Sequence, residues 1–208
     1  MYFVKTPHIV KPLYPSAKWC VETNEKVLYF TFDDGPVPSV TDATFEILDS
    51  FSAKACFFLI GENVERHPAY IAKYAQNGHS IGNHSFQHLN GWKTPTAEYT
   101  SDVINASESI ASTLFRPPYG RITRKQVKHL ELEYTLCMWD VLSGDFDPTI
   151  NVDSCIKNVV DHVEPGSIVV FHDSEKASKV MLASLPIILD QLKKRGYQFK
   201  ALSEKDFL

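Results

Sequence analysis

The chain has 208 residues, 44% of them apolar and 22% charged, with a formal net charge of −4 and a pI near 6.0. That length bounds one domain with a sizeable core and is short for two. No contiguous basic run argues for a nucleic-acid or anionic-membrane partner, and no apolar stretch is long enough to cross a bilayer.

Residues 1–25 carry Tyr2, Phe3, Tyr14 and Trp19 among Pro7, Pro12 and Pro15, which reads as an extended arm packed on the domain. Lys5, Pro7 and Lys11 break its apolar stretch, so it is not an export signal, and the chain is expected to be cytoplasmic. The rest, 26–208, is expected to form one catalytic domain. Apolar runs at 27–32, 55–61, 79–84, 114–118, 134–141 and 167–173 read as strands, with a last short one after Gly196. Helical patterns occupy 39–50, 68–77, 96–112, 123–131, 151–162 and 178–194. Pro186 should kink the last of these or mark its true start.

Strands separated by helices imply βαβ units and a parallel sheet. Some seven parallel strands predict an α/β fold, a distorted (β/α) barrel, with a doubly wound open sheet as the alternative. The glycine patterns of nucleotide-binding loops are absent after the first strand. Cys20, Cys56, Cys137 and Cys155 are widely spaced and form no CxxC pair, so buried free thiols are expected.

The polar residues that interrupt this apolar pattern fall at strand ends. Asp33 and Asp34 follow the first strand, His84 and His88 the third, and Arg116 ends the fourth. Asp140 and Asp145 flank the end of the fifth, and His172 and Asp173 end the sixth. In a barrel, strand C-termini share one face, where active sites form.

HxxxH at 84–88 would place two imidazoles on one face of a helical turn, within reach of one cation. Alone, that pair is more often a surface or hydrogen-bonding feature. With Asp34 it completes a two-histidine, one-carboxylate set that suits a catalytic divalent metal, zinc first and iron(II) also. A cation there would explain two adjacent carboxylates, because Asp34 would bind it and Asp33 would stay free to take a proton from an attacking water.

Arg116 has a fork that can hold Asp33 ionised. Pro117, Pro118 and Gly120 stiffen the loop after it, where the Tyr119 backbone N–H can serve as an oxyanion donor. His172 can donate a proton to a leaving amine if an acid such as Asp145 tunes it. His79 has no partner in this pattern and reads as structural.

"TFDDGP" (31–36), "GHSIGNHSFQH" (78–88), "RPPYG" (116–120), "WDVLSGDF" (139–146) and "IVVFHD" (168–173) resemble the five ordered motifs of the NodB-homology polysaccharide deacetylases, carbohydrate esterase family 4. The resemblance covers about residues 26–202. It implies a distorted barrel and metal-dependent hydrolysis of an N-acetyl group from a glycan or amino sugar, with zinc expected and cobalt, nickel or iron as further options.

By motif position, Asp33 would be the base and Asp34, His84 and His88 the metal ligands. Arg116 would hold the base, Tyr119 would help bind the oxyanion, Asp145 would be a charge partner and His172 the acid. Leu142, Phe146 and Val170 stand where the family often has aspartate, tryptophan and leucine. Phe146 can still wall a groove and Val170 line an acetyl pocket, although loss of the indole bears on sugar stacking. Two other functions fit the same residues: hydrolysis of another N-acyl or formyl amide on a small or lipid-linked substrate, and non-catalytic glycan binding.

Overall fold

In the computed structural model, which describes residues 2–207, every residue of β1 (Val27–Asp33) is buried. Burial on both faces is why this strand reads as a continuous apolar run rather than an alternating one. Leu28, Phe30 and Phe32 pack into the layer beneath the helices, whereas Val27 and Tyr29 belong to the cluster inside the curved sheet. The two-residue period of a strand puts Thr31 and Asp33 on that same inner side.

β1 pairs in parallel with β2 (Ala55–Leu59) on one side and β7 (Ile168–His172) on the other. Beyond β2 follow β3 (Ser80–Asn83), β4 (Leu114–Phe115) and β5 (Thr135–Leu136), and beyond β7 lies β6 (Val141–Leu142). A short β8 (Gln198–Phe199) pairs with the start of β1. All these pairings are parallel. The result is the distorted (β/α) barrel, open between β5 and β6.

The helices are α1 (Pro38–Ser50), α2 (Gly61–Arg66), α3 (Ala69–Gln76), α4 (Thr96–Ala106), α5 (Arg124–Leu130), α6 (Val152–Val160) and α7 (Glu175–Lys194). Met181, Leu185, Ile188, Leu189 and Leu192 of α7 are fully buried. At roughly 1.5–3 kcal/mol for each such side chain, this face offsets the hydrogen bond that Pro186 cannot make. Pro186 accordingly lies inside one helix and does not mark its start. α2 escaped the sequence pattern because it is six residues long and opens on Gly61, which reads as the end of a strand.

The strand expected over 134–141 is two strands. Between them the carbonyls of Cys137 and Met138 turn to accept from the Arg116 side chain at 3.1 and 3.2 Å, which takes the chain out of the sheet.

The N-terminal arm lies along the open edges. Lys18 bridges in parallel to Cys137 beside β5, and Lys5 bridges antiparallel to Val141 in β6. Asp140 holds this arrangement. Its carboxylate accepts from Lys5 Nζ at 2.6 Å and from Ser167 Oγ at 2.7 Å, with Lys11 Nζ at 3.5 Å. Asp140 therefore does not join the other strand-end residues. Replacing this buried carboxylate by Ala strands Lys5 and Ser167, so Asp140→Ala should lower the unfolding free energy by about 2–4 kcal/mol in urea denaturation. A loss below about 0.5 kcal/mol would show that the arm is held by other contacts.

Candidate active site

Adjacent residues on a strand point to opposite faces, so Asp33 and Asp34 can share a site only if the chain turns between them. Asp34 does this with φ +83°. Asn63 Nδ2 donates to its carbonyl at 2.8 Å and holds the turn. Four of the five non-glycine residues with positive φ among those described, Asp34, Ser85, His88 and Tyr119, lie in the motifs at this face. Backbone strain of that kind persists where surrounding structure over-determines it.

Gly35 is required here, because a Cβ would collide with the carboxyl group of Asp173. Asp173 is fully buried and accepts from Thr41 Oγ1 at 2.6 Å. Burial pushes its carboxyl well above the usual range, with Asp34 and Asp33 adding to the shift, which favours its protonated form.

His84 and His88 do not sit on a helical turn. They flank a loop in which Ser85 and His88 have φ of +64° and +58°. Its shape comes from two residues whose role the sequence pattern did not signal. Asn83 Oδ1 accepts from the Ser85 N–H at 2.7 Å. The buried Asp102 carboxylate on α4 accepts from the backbone N–H groups of Phe86 and Gln87 at 3.1 Å each. An acid six residues into a helix, with no local partner in sequence, can be recognised only from tertiary contacts.

The ring nitrogens are sorted by their second partners. His84 Nδ1 lies 2.8 Å from the Arg116 carbonyl, which can only accept, so Nδ1 carries the proton and Nε2 offers a lone pair. Burial, outweighing nearby Asp33, lowers the His84 pKa to about 4 and keeps that imidazole neutral. His88 Nδ1 lies 3.1 Å from the Tyr119 hydroxyl. Both Nε2 atoms face Asp34 Oδ1, at 3.8 Å from His84 and 3.3 Å from His88.

That carboxylate oxygen is buried with no hydrogen-bond partner. One donor atom from each of Asp34, His84 and His88 lies within 4.8 Å of the others. Bonds of about 2.1 Å in a tetrahedral site put donors about 3.4 Å apart, so the set fits one divalent cation. Burial alone would raise the Asp34 pKa, but His88, His172 and His84 outweigh it and hold the carboxyl well below its usual range.

Asp33 Oδ1 accepts from Arg116 Nη1 at 2.7 Å, and the same nitrogen reaches Thr31 Oγ1 at 2.7 Å. The guanidinium is fully buried, with its carbon 4.0 Å from the centre of the Phe58 ring. Across the site, Asp145 grips His172 twice. It accepts from the backbone N–H at 2.7 Å and pairs with Nδ1 at 2.8 Å. Burial would lower the His172 pKa, but Asp145 outweighs it and raises the value to about 9. The pair therefore stabilises the fold fully below the ordinary pKa of 6.5, and that contribution is lost as pH rises through about 9.

Phe146 meets the His172 ring edge-on at 5.0 Å, and Tyr2 of the arm packs on Phe146 at 5.2 Å. Tyr2 was not legible from sequence, because the arm meets this loop only in the folded chain. Val170 is buried in β7, in register with Thr31 and Leu142. Pro117 is buried and opens the tight turn Pro118–Gly120 that carries Tyr119. Asp147, outside this constellation, accepts from the backbone N–H and hydroxyl of Thr149 at 2.9 and 2.7 Å. His79 is structural: Nδ1 accepts from the Ala55 N–H at 3.2 Å, and the ring stacks on Phe45.

The polysaccharide deacetylase family profile matches residues 21–135, more than half the chain. The chain belongs to this family. It is 34% identical over 196 residues to a peptidoglycan-N-acetylglucosamine deacetylase of Bacillus cereus, covering 89% of this chain and 91% of that one. A crystal structure of a peptidoglycan N-acetylglucosamine deacetylase superposes with a TM-score of 0.83 at 32% identity, covering 88% and 89% of the two chains. A carbohydrate esterase family 4 pseudoenzyme from Bacillus anthracis shares the fold, with a TM-score of 0.79 at 22% identity over 93% of this chain and 69% of its own. Fold alone therefore does not carry activity, and the side chains of this family member must be judged one by one.

Asp102→Ala should leave the His84–His88 loop without its two-N–H anchor. Zinc affinity by calorimetric titration should fall about 10–100-fold, the range for lost outer support. Unchanged affinity would show that the loop is set by other contacts.

Proposed function

We propose that the protein is a metal-dependent hydrolase that removes N-acetyl groups from an N-acetylated glycan. The observation that carries this reading is the partnerless, buried Asp34 Oδ1 facing the Nε2 atoms of His84 and His88, beside a second carboxylate already held by Arg116. Asp34, His84 and His88 would hold the cation, and zinc suits this oxygen–nitrogen set best. A cation there supplies Lewis-acid polarisation of the amide carbonyl and acidifies a water.

The chain's own residues do the rest. Asp33 takes a proton from the attacking water as its oxygen bonds to the carbonyl carbon. Arg116 pairs with Asp33 and fixes it in direction. The Tyr119 backbone N–H supports the negative oxygen that develops. His172, oriented through Nδ1 by Asp145, donates its Nε2 proton to the amine as the carbon–nitrogen bond breaks. Acetate and a free amino sugar are the products. The B. cereus relative supports an N-acetylglucosamine-containing polymer as the substrate class.

Asp33→Asn should bind zinc with affinity close to that of the native chain yet lose turnover by roughly 100-fold or more, the scale of a lost general base. Acetate release at native rates from that variant would remove Asp33 from the role. His172 must be protonated to act as the acid, so kcat should fall as pH rises through about 9. A bound cation offsets the contribution of Asp34 to that value and leaves Asp145 as the main support. Asp145→Asn should move this limb of the pH profile down toward 6.5, and an unmoved limb would show that another group donates the proton.

A further inference from the structure

β6 ends at Leu142, and the loop 143–147 that follows carries two groups in contact with the His172 ring. Asp145 pairs with Nδ1, and Phe146 meets the imidazole edge-on. Within the loop, the Asp147 N–H donates to the Gly144 carbonyl at 2.9 Å, and Asn158 Nδ2 donates to the Ser143 carbonyl at 2.8 Å. The N-terminal arm packs on its other side.

The arm reaches this loop by strand register. The Thr6 N–H donates to the Asp140 carbonyl at 2.8 Å, Lys5 bridges antiparallel to Val141, and the Leu142 N–H donates to the Val4 carbonyl at 2.8 Å. Carried two residues further, the same register sets Tyr2 opposite Gly144. The side chains agree. A Cβ on Gly144 would lie 2.7 Å from the Tyr2 hydroxyl, and Gly144 has φ +79°. Glycine therefore serves twice here, in the turn and in the space left for the phenol.

The Tyr2 ring packs on Phe146 with centroids 5.2 Å apart, and the Phe146 ring lies 5.0 Å from that of His172. Tyr2 thus reaches the imidazole through Phe146 and, by way of Gly144, through Asp145. Burial pushes the phenol up to about 12, with Asp147 and Asp145 adding to the shift. The hydroxyl is neutral at physiological pH and brings no charge beside Asp145.

We propose that Tyr2 is a positioning residue for the general acid: it fills the space between arm and loop and so fixes Phe146 and Asp145 against His172. This rests on the deacetylase reading above. Proton donation is directional, and a displacement of about 1 Å can cost about 100-fold.

The role can be separated from the rest of the reaction by the leaving group. An amide departs as an amine, which needs the His172 proton as the carbon–nitrogen bond breaks. The ester p-nitrophenyl acetate departs as a stable phenolate, which needs no proton but draws on the same base and cation.

Tyr2→Ala should lower kcat on an N-acetylglucosamine oligomer roughly ten- to 100-fold, with KM, zinc affinity and ester hydrolysis at native values. Tyr2→Phe keeps the ring and should recover most of the loss. Tyr2→Leu keeps the arm apolar should Tyr2→Ala fold poorly, and is expected to show the same amide-only loss. Native amide turnover in Tyr2→Ala and Tyr2→Leu would overturn the role, as would equal losses on amide and ester. A Tyr2→Phe chain no better than Tyr2→Ala would overturn the packing argument.

The Nδ1 proton resonance of His172, far downfield when shared with Asp145, reads the same positioning without turnover in the zinc-loaded chain. It should move upfield or broaden in Tyr2→Ala and return in Tyr2→Phe, and a resonance unmoved in both would overturn the role. That response in a chain that releases no acetate would leave the positioning standing and refute the deacetylase reading instead.

Discussion

One buried ion pair organises this molecule. Arg116 has no solvent exposure, and its guanidinium donates to Asp33, Thr31 and the carbonyls of Cys137 and Met138. Those partners come from the end of β1, the inner face of the same strand, and the segment between β5 and β6. Burying a guanidinium is costly unless it is paired and its donors are filled. The guanidinium therefore pairs with Asp33 and, in the same contacts, takes the chain out of the sheet after β5. The placement of Asp33 and the barrel distortion have one cause.

Four carboxyl groups crowd this face, and the structure treats each differently. Asp33 is neutralised by a guanidinium and Asp145 by an imidazole. Asp173 is fully buried, which raises its pKa well above the usual carboxylate range. Asp34 has a buried oxygen with no hydrogen-bond partner beside two histidine nitrogens, which is the arrangement a divalent cation completes. Like charges cannot share a low-dielectric site unless each has such a solution. The strained residues cluster at the same face because chain direction must change abruptly to bring the groups together.

The N-terminal arm belongs to this economy. It lies across the open side of the sheet through Lys5 and Lys18, is tied down by Asp140, and delivers Tyr2 against Phe146 behind the His172 ring. Phe146 is smaller than an indole, and the tyrosine fills space beside it. A pseudoenzyme with the same fold shows how little architecture alone says about catalysis. Here Asp33 contacts Arg116, His172 contacts Asp145, and Asp34 faces His84 and His88.

Much of this was legible in sequence because its signals are local. Continuous apolar runs between helical stretches specify a parallel sheet buried on both faces, and polar residues at the ends of such runs must lie at one rim. That reasoning identified Asp33, Asp34, His84, His88, Arg116, Asp145 and His172 as neighbours. Other features depended on the assembled chain. The histidines both face Asp34 through a strained loop and not a helical turn, because Asn83 and Asp102 hold its N–H groups. Asp140 looked like a rim carboxylate and proved to be an anchor, because its partners Lys5 and Ser167 lie 135 and 27 residues away. Sequence by itself determined which residue types stand at each strand end, since periodicity and composition are properties of short segments. Only tertiary structure decided which of them face one another, since the partners that orient a buried charge come from chain segments that meet only on folding.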